Sequence, residues 1–324
     1  MHAFLRIGLA SLIGTTLVAP VLAAEITMKF AHGTTVADPH HLGAMRLAER
    51  IKDLTKGAIE INIFPTGQLG TGRDVVEGIL LGTIDLGQPA AAVVANRVPE
   101  INVLEMPFLF RDVNHFEKVW QGPVADKVAE LAAAKGLRML GMYTSGERHI
   151  MTKKPVASIA DLKGMKIRTV ENPIHVATFK AFGANATAIS YSELYGALQT
   201  GVVDGADAAN TNYLNIKFYE VAPNWALVTW LTFSNPVIMS ERKFQALKPE
   251  YQQALIAAGK EAAVHQRKLY RDGDVGDFEK LKQIGVKVTQ PDQAPFRDAA
   301  KKVYDEFLKT DVQKDLLKAI VDTK

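Results

Sequence analysis

Leu81-Gly82-Thr83-Ile84-Asp85-Leu86-Gly87 and Thr200-Gly201-Val202-Val203-Asp204-Gly205 read alike: a glycine stops a helix, and an apolar strand carrying one Asp follows at once. Upstream of the first segment, Ile26, Met28 and Phe30 alternate with Thr27 and Lys29, which predicts a strand with one buried face. Asp38-Pro39 then supplies an N-cap and a proline for the first helical position, and Leu42, Met45, Ala48, Ile51 and Leu54 recur on one face until Gly57. Ile59, Ile61 and Ile63 make the next strand, and Gly67, Gly70 and Gly72 turn the chain into a helix over 74–81. The order β-α-β-α-β predicts an α/β fold with a mainly parallel sheet and helices on both faces.

The second segment closes a similar run. A strand starts at Met165, a helix follows through Phe182, and Ser190 with Glu193 predicts a capping box ahead of Leu194 to Gln199. Two similar α/β lobes would explain the likeness, as would the common punctuation of helices and strands. Beyond Ser240 the pattern turns helical, with Lys248-Pro249 opening a segment through about Leu281, then a short strand over 286–288 and an amphipathic helix over 296–308. A helix of some 30 residues runs roughly 45 Å, longer than one lobe is wide, and is expected to lie across both.

The 324 residues are about twice an ordinary domain of roughly 150, which favours two lobes. Hydrophobic residues at 48% and charged residues at 23% exclude a disordered chain, a collagen and a polytopic membrane protein. The net charge of +3 comes without basic blocks, so no nucleic-acid partner is expected. Absence of cysteine removes disulfides, thiolate metal sites and thiol nucleophiles.

Arg6 is the only charged residue before Glu25, and the apolar run from Ile7 to Val18 falls short of the ~20 residues of a membrane span. Pro20 breaks the run, and Val21-Leu22-Ala23-Ala24 offers small residues to a signal peptidase. A signal peptide over 1–24, cleaved after Ala23 or Ala24, and a periplasmic mature protein are expected.

Enzyme signatures are wanting. The glycines of Gly67-Gln68-Leu69-Gly70-Thr71-Gly72 lack the Lys-Ser/Thr of a phosphate loop and the dinucleotide spacing, and no Gly-x-Ser-x-Gly elbow occurs. His40 and His41 are adjacent, hence on different helix faces, and read as solvated first-turn residues, so no metal or cofactor is expected. Arginine remains. Arg168 lies in the strand Met165-Lys166-Ile167-Arg168-Thr169-Val170, and Arg148 follows Gly146-Glu147 where the first lobe hands over to the second. The planar guanidinium binds a carboxylate with two parallel hydrogen bonds, although spacing alone favours a structural ion pair of Arg168 with a nearby Asp or Glu.

Five separated motifs, in order, carry a resemblance: Phe64-Pro65-Thr66-Gly67-Gln68-Leu69-Gly70, Met106-Pro107-Phe108-Leu109-Phe110, Asp161-Leu162-Lys163-Gly164-Met165-Lys166-Ile167-Arg168, Glu193 through Gly205, and Phe218-Tyr219-Glu220-Val221. From Glu25 nearly to the end, the chain resembles the solute-binding proteins of tripartite ATP-independent periplasmic (TRAP) transporters. The resemblance implies a two-lobed periplasmic binding protein, or Venus flytrap, with hinge strands and a long helix spanning both lobes. Lobe I is then expected over 25–145 plus 234–273, and lobe II over 146–233 plus 274–324. It implies a receptor that binds a small carboxylate and delivers it to integral-membrane TRAP subunits, with Arg168 as anchor and Arg148 assisting, and a monomer without cofactor.

Relatives commonly carry Gln-Glu-Asn-Pro where this chain has Ala206-Asp207-Ala208-Ala209, so Asp207 keeps a shortened acid and either Asn210 or Asn212 supplies the amide. Trp230, Tyr191, Gln88 and His32 stand where relatives place cleft-lining side chains. Two other functions fit the same cleft: an extracytoplasmic enzyme acting on a small organic acid, and a soluble sensor subunit. The ligand is open among hydroxy acids, sugar acids, aromatic acids and dicarboxylates.

Overall fold

The computed structural model describes residues 24–324; the expected signal segment, cleaved after Ala23 or Ala24, lies outside the described residues except for Ala24. Nine strands form one sheet: β1 (Ile26–Ala31), β2 (Ile59–Phe64), β3 (Leu86–Gly87), β4 (Leu137–Thr152), β5 (Lys166–Thr169), β6 (Asn185–Ala188), β7 (Gly205–Ala208), β8 (Asn224–Ser240) and β9 (Lys287–Thr289). Their order is β2-β1-β3-β8-β4-β7-β5-β6, with β9 beside β8.

Read from either end, this order is the same arrangement. Three outer strands pair in parallel, β2 and β3 on β1 in one half, β6 and β7 on β5 in the other. Each trio then meets a long antiparallel strand, β8 or β4, and these two pair with each other through the middle of the sheet. The two lobes expected from the glycine-stopped segments are therefore repeats of one unit.

The long pair is not regular. Thr144 pairs with Ser234 and Glu147 with Thr232, so Ser145 and Gly146 stand opposite Phe233 alone, a bulge of two residues against one. Gly146 sits at a φ of 68°, open to glycine at little cost.

Local sequence explains the helix boundaries. The Asp38 carboxylate accepts from the His40 amide at 2.9 Å, and Pro39 opens the helix Pro39–Leu54. Helix Gly72–Leu81 starts two residues earlier than expected, because Thr71 and Asp74 cap it reciprocally. Gly82 and Gly201 both end their helices in the left-handed region, at φ 88° and 78°. The capping box expected at Ser190 and Glu193 does not form. The Ser190 hydroxyl bonds the Glu193 carboxylate instead of a main-chain amide, and a 3-10 turn, Tyr191–Glu193, precedes the helix Leu194–Thr200.

The long helix is Pro249–Gln283, 35 residues and thus about 52 Å. It packs on β4 so closely that a Cβ at Gly259 would lie 2.4 Å from the Leu140 carbonyl oxygen. Further along, Gln266 bonds both main-chain groups of Thr144 and Tyr270 donates to Asn212, so one helix touches both halves. Phe30, Leu47, Ile51 and Leu255 form a core in the first half. Tyr213, Trp225 and Leu281 form one in the second, with the Tyr213 and Trp225 rings stacked 4.2 Å apart. A third and larger cluster, including Phe116, Trp120, Phe179, Trp230 and Phe296, joins the halves. Among the described residues, no helix is long and apolar enough to cross a membrane.

Candidate ligand-binding site

Parallel α/β sheets present their strand ends to a crevice, and here the crevices of the two halves face one another. His32 follows β1, Gln88 follows β3, Arg168 lies in β5, Asp207 in β7, and Ser145 and Arg148 in β4. Together with Tyr191, Asn212, Phe233 and Asn235 they line a cavity of about 120 Å³. The halves are bonded across it. Asn212 donates to Asp38, Asn96 to the Glu171 carbonyl and Asn172 to the Ala92 carbonyl, each at 2.9 Å.

The two arginines differ in what they already hold. Arg148 donates through Nε to Asp207 Oδ2 and through a terminal nitrogen to the Asp207 carbonyl, both at 2.7 Å, and its guanidinium lies 4.9 Å from the Phe233 ring centre. Burial alone would raise the Asp207 carboxyl, but Arg148, His175 and Arg168 outweigh it and hold it below the ordinary range. Arg148 and Asp207 thus form a buried, neutralised pair.

Arg168 is 2% exposed and has no such partner. Its Nε donates to the Ile189 carbonyl at 2.8 Å, and among the described residues its terminal nitrogens meet no acceptor. Burial lowers its pKa to about 10, with the more distant Asp207 opposing the shift, so the group stays charged at neutral pH. A buried cation lacking a counter-charge is costly, and an anion reaching those two nitrogens would offset that cost. Tyr191 lies beside it, with a sealed hydroxyl that has no hydrogen-bond partner and a pKa raised by burial.

Neutral groups supply the opposite wall. His32 is 3% exposed, bonded to Thr34 at 3.0 Å and to His41 at 3.1 Å. Burial, aided by His40 and His41, depresses its pKa to about 3, so it is an uncharged imidazole at neutral pH.

His40 corrects an expectation. It is 1% exposed rather than solvated, because its Nδ1 bonds Asp38 at 2.6 Å and its Nε2 lies 3.1 Å from the Ser145 hydroxyl. Ser145 in turn bonds Asn235 at 2.7 Å. This floor network, which also takes in Asn212 and Tyr270, joins residues distant in sequence, and only the Asp38 cap signalled it.

Two expected lining residues lie elsewhere. Asn210 donates to Asp274 and accepts from the Trp225 indole, both at 2.9 Å, which turns it away from the cavity toward the long helix. Asn212, two residues on, is the amide that lines the cavity. Trp230 is fully buried in the joining cluster, its ring 5.0 Å from His175 and 5.3 Å from Phe179. The register break on β8 turns it to the core rather than to the cavity. His32, Gln88, Arg148, Arg168, Tyr191 and Asp207 are brought together in one lining.

Residues 30–311 match the family described as bacterial extracellular solute-binding protein, family 7. The chain belongs to this family. The family 7 relative 2,3-diketo-L-gulonate-binding periplasmic protein YiaO of Escherichia coli K12 is 35% identical over 303 residues, 92% of each chain. A TRAP periplasmic solute-binding protein from Xanthobacter autotrophicus, solved with β-D-galacturonate, has a TM-score of 0.89 at 31% identity, over 92% of this chain and 100% of that one. Another from Sulfurospirillum deleyianum, solved with succinate, has a TM-score of 0.86 at 31% identity, over 93% and 100%. Family 7 proteins are periplasmic receptors for small acids that work with TRAP membrane subunits, and the two-lobed fold expected from the motifs is the fold of these structures.

Proposed function

We propose that this chain is exported, loses its leader after Ala23 or Ala24, and captures a small organic acid whose carboxylate is held by Arg168. It then delivers the acid to TRAP membrane subunits without covalent chemistry. The observation that carries this reading is the buried Arg168 guanidinium, whose terminal nitrogens meet no protein acceptor among the described residues while Arg148 is tied to Asp207. The division expected from the sequence, 25–145 plus 234–273 against 146–233 plus 274–324, places β1 to β3 on one side of the acid and Arg148, Arg168 and Asp207 on the other.

The test is calorimetry on folded Arg168→Ala. Removing one partner of a buried charge pair costs ~2–5 kcal/mol, a weakening of roughly 30-fold to several thousand-fold. Arg168→Lys keeps the charge without the planar fork and recovers part of the loss. Binding within about threefold of wild type in Arg168→Ala overturns the assignment.

The chain Asp38–His40–Ser145 has the order of a hydrolase relay, which favours the enzyme reading as the second one. Ser145 is also bonded to Asn235, and we read the network as bracing for the cavity floor. Turnover of an ester or lactone of a bound acid, abolished by Ser145→Ala, would reverse that reading.

A further inference from the structure

The cavity's charges define the acid more narrowly. Arg148 is neutralised by Asp207 within the lining, and Glu171, at the rim, pairs with the exposed Arg73 at 3.3 Å. His32 and Tyr191 are uncharged at neutral pH, and the lining contains no lysine. One positive charge therefore remains, on Arg168.

The rest of the lining is uncharged and mixed: Val75, Val93, Val170 and Phe233 give apolar faces, as a sugar ring's carbons need, and neutral polar groups stand among them. Gln88, Asn235, Ser145, Ser190 and Thr34 all reach the cavity, and each carries groups that both donate and accept hydrogen bonds. A second carboxylate, entering with the first, would be buried beside Asp207 with no cation left to meet it. Ser145, Ser190 and Thr34 already have protein partners, but a purely aromatic acid would leave the Gln88 side chain and the Asn235 amide nitrogen, which meet none among the described residues, without hydrogen bonds. Hydroxyl groups suit them, since a hydroxyl donates once and accepts twice.

Resting on the receptor reading above, we infer that the cleft selects a singly charged, hydroxyl-rich acid, an aldonate or uronate, over a dicarboxylate. The solved relatives are described with a uronate in one case and succinate in another, so the shared fold leaves the choice to the side chains of each cavity. In this chain Asp207 makes the choice, by removing Arg148 as a second anion site.

The experiment is titration calorimetry of the mature protein, freed of co-purified ligand by unfolding and refolding, against D-galacturonate, D-gluconate and succinate. At least one of the two hydroxylated acids is expected to bind 100-fold or more tightly than succinate, with that binding lost in Arg168→Ala. Asp207→Asn keeps an acceptor for Arg148 but leaves a second positive charge, and is expected to narrow the gap to succinate by tenfold or more. Succinate binding as tightly as the sugar acids, and lost in Arg168→Ala, overturns the inference while the receptor reading stands. Binding that survives Arg168→Ala, or no binding by any of the three acids, overturns the receptor reading and this inference with it. If Asp207→Asn fails to fold, the wild-type comparison alone decides.

Discussion

The returns at Gly82–Gly87 and Gly201–Gly205 do the same work with the same atoms. In the first half the Asp85 carboxylate accepts from the Lys29 amide at 2.8 Å, and the Asp85 amide donates back to the Lys29 carbonyl at 3.2 Å. In the second half Asp204 and Lys166 make the same two bonds, at 2.9 and 2.7 Å. Past these turns the halves part company. The first sends uncharged His32 and Gln88 into the cavity, whereas the second sends Arg168 and Asp207. Repetition is imposed by the backbone, because each short strand must enter beside β1 or β5 in register. Charge is free to differ, because side chains at strand ends answer only to what they face.

The sharpest way to break the comparison is to remove one cavity residue from each half. Arg168→Ala is expected to weaken binding of the cognate acid by ~2–5 kcal/mol, and Gln88→Ala, which deletes neutral hydrogen bonds, by about 1 kcal/mol. Calorimetry on both variants measures the asymmetry, and equal losses would show that the halves share the anchoring.

Acid should act on both halves, since burial lowers the pKa of His41 and His115 and the two largest histidine shifts fall one in each half. Burial depresses His32 and His149 to about 3, with His40 and His41 adding to the first and Arg148 to the second. The unfolded chain takes up these protons near pH 6.5, so between about 6.5 and 3 it binds more protons than the folded state and stability falls as pH falls. Each histidine should cost about 2 kcal/mol on going from pH 7 to 5. Asp274, raised to about 6 by burial, works in the opposite direction over the same range. Denaturant midpoints against pH should fall toward acid, and His149→Asn should remove roughly half of what His32 and His149 contribute together.

Crowding separates the halves next. A Cβ at Gly205 would lie 2.4 Å from the Met151 carbonyl oxygen, and one at Gly87 would lie 2.3 Å from a Val75 methyl. Overpacking costs typically ~1–3 kcal/mol. Gly205→Ala should sit at the upper end, because main chain in the β4–β7 ladder must shift, and Gly87→Ala at the lower end, because a side chain can give. Thermal melts of the two variants check the order.

The smallest effect should be the most symmetrical. Asp204→Ala and Asp85→Ala each remove one carboxylate bond to a strand amide, at about 1 kcal/mol. Asp85 should lose slightly more, since it also holds Lys243. Unfolding free energies from urea titration that differ between the two variants by several kcal/mol would mean the two turns are not equivalent.

What the sequence made legible follows the same division. Asp38-Pro39, the two glycine stops and the long helix opened by Pro249 obey local rules, and the structure places them where those rules put them. The failure at Ser190 and Glu193 is local too: the two side chains satisfied each other, leaving the main chain to a 3-10 turn. The site was harder to read because its geometry depends on long-range register. Asn210 and Asn212 are two positions apart on the short helix Asn210–Asn215, about 200° around its axis, so one meets Trp225 and the other the cavity. Spacing cannot say which until that helix is docked on Tyr270. His40 escapes local reading for the same reason, since its burial depends on Ser145, far away in the chain.

The bulge in β4 joins two roles in one place. Ser145 and Gly146 are the residues that the ladder skips, so the regular cross-strand bonding lapses there. Ser145 and Phe233, on the two sides of that break, also form part of the cavity wall. The break in the ladder and part of the cavity wall are thus the same few residues. On the receptor reading, an occupant of the cavity touches the seam between the two long strands at first hand, with no intervening residue between it and the join of the halves.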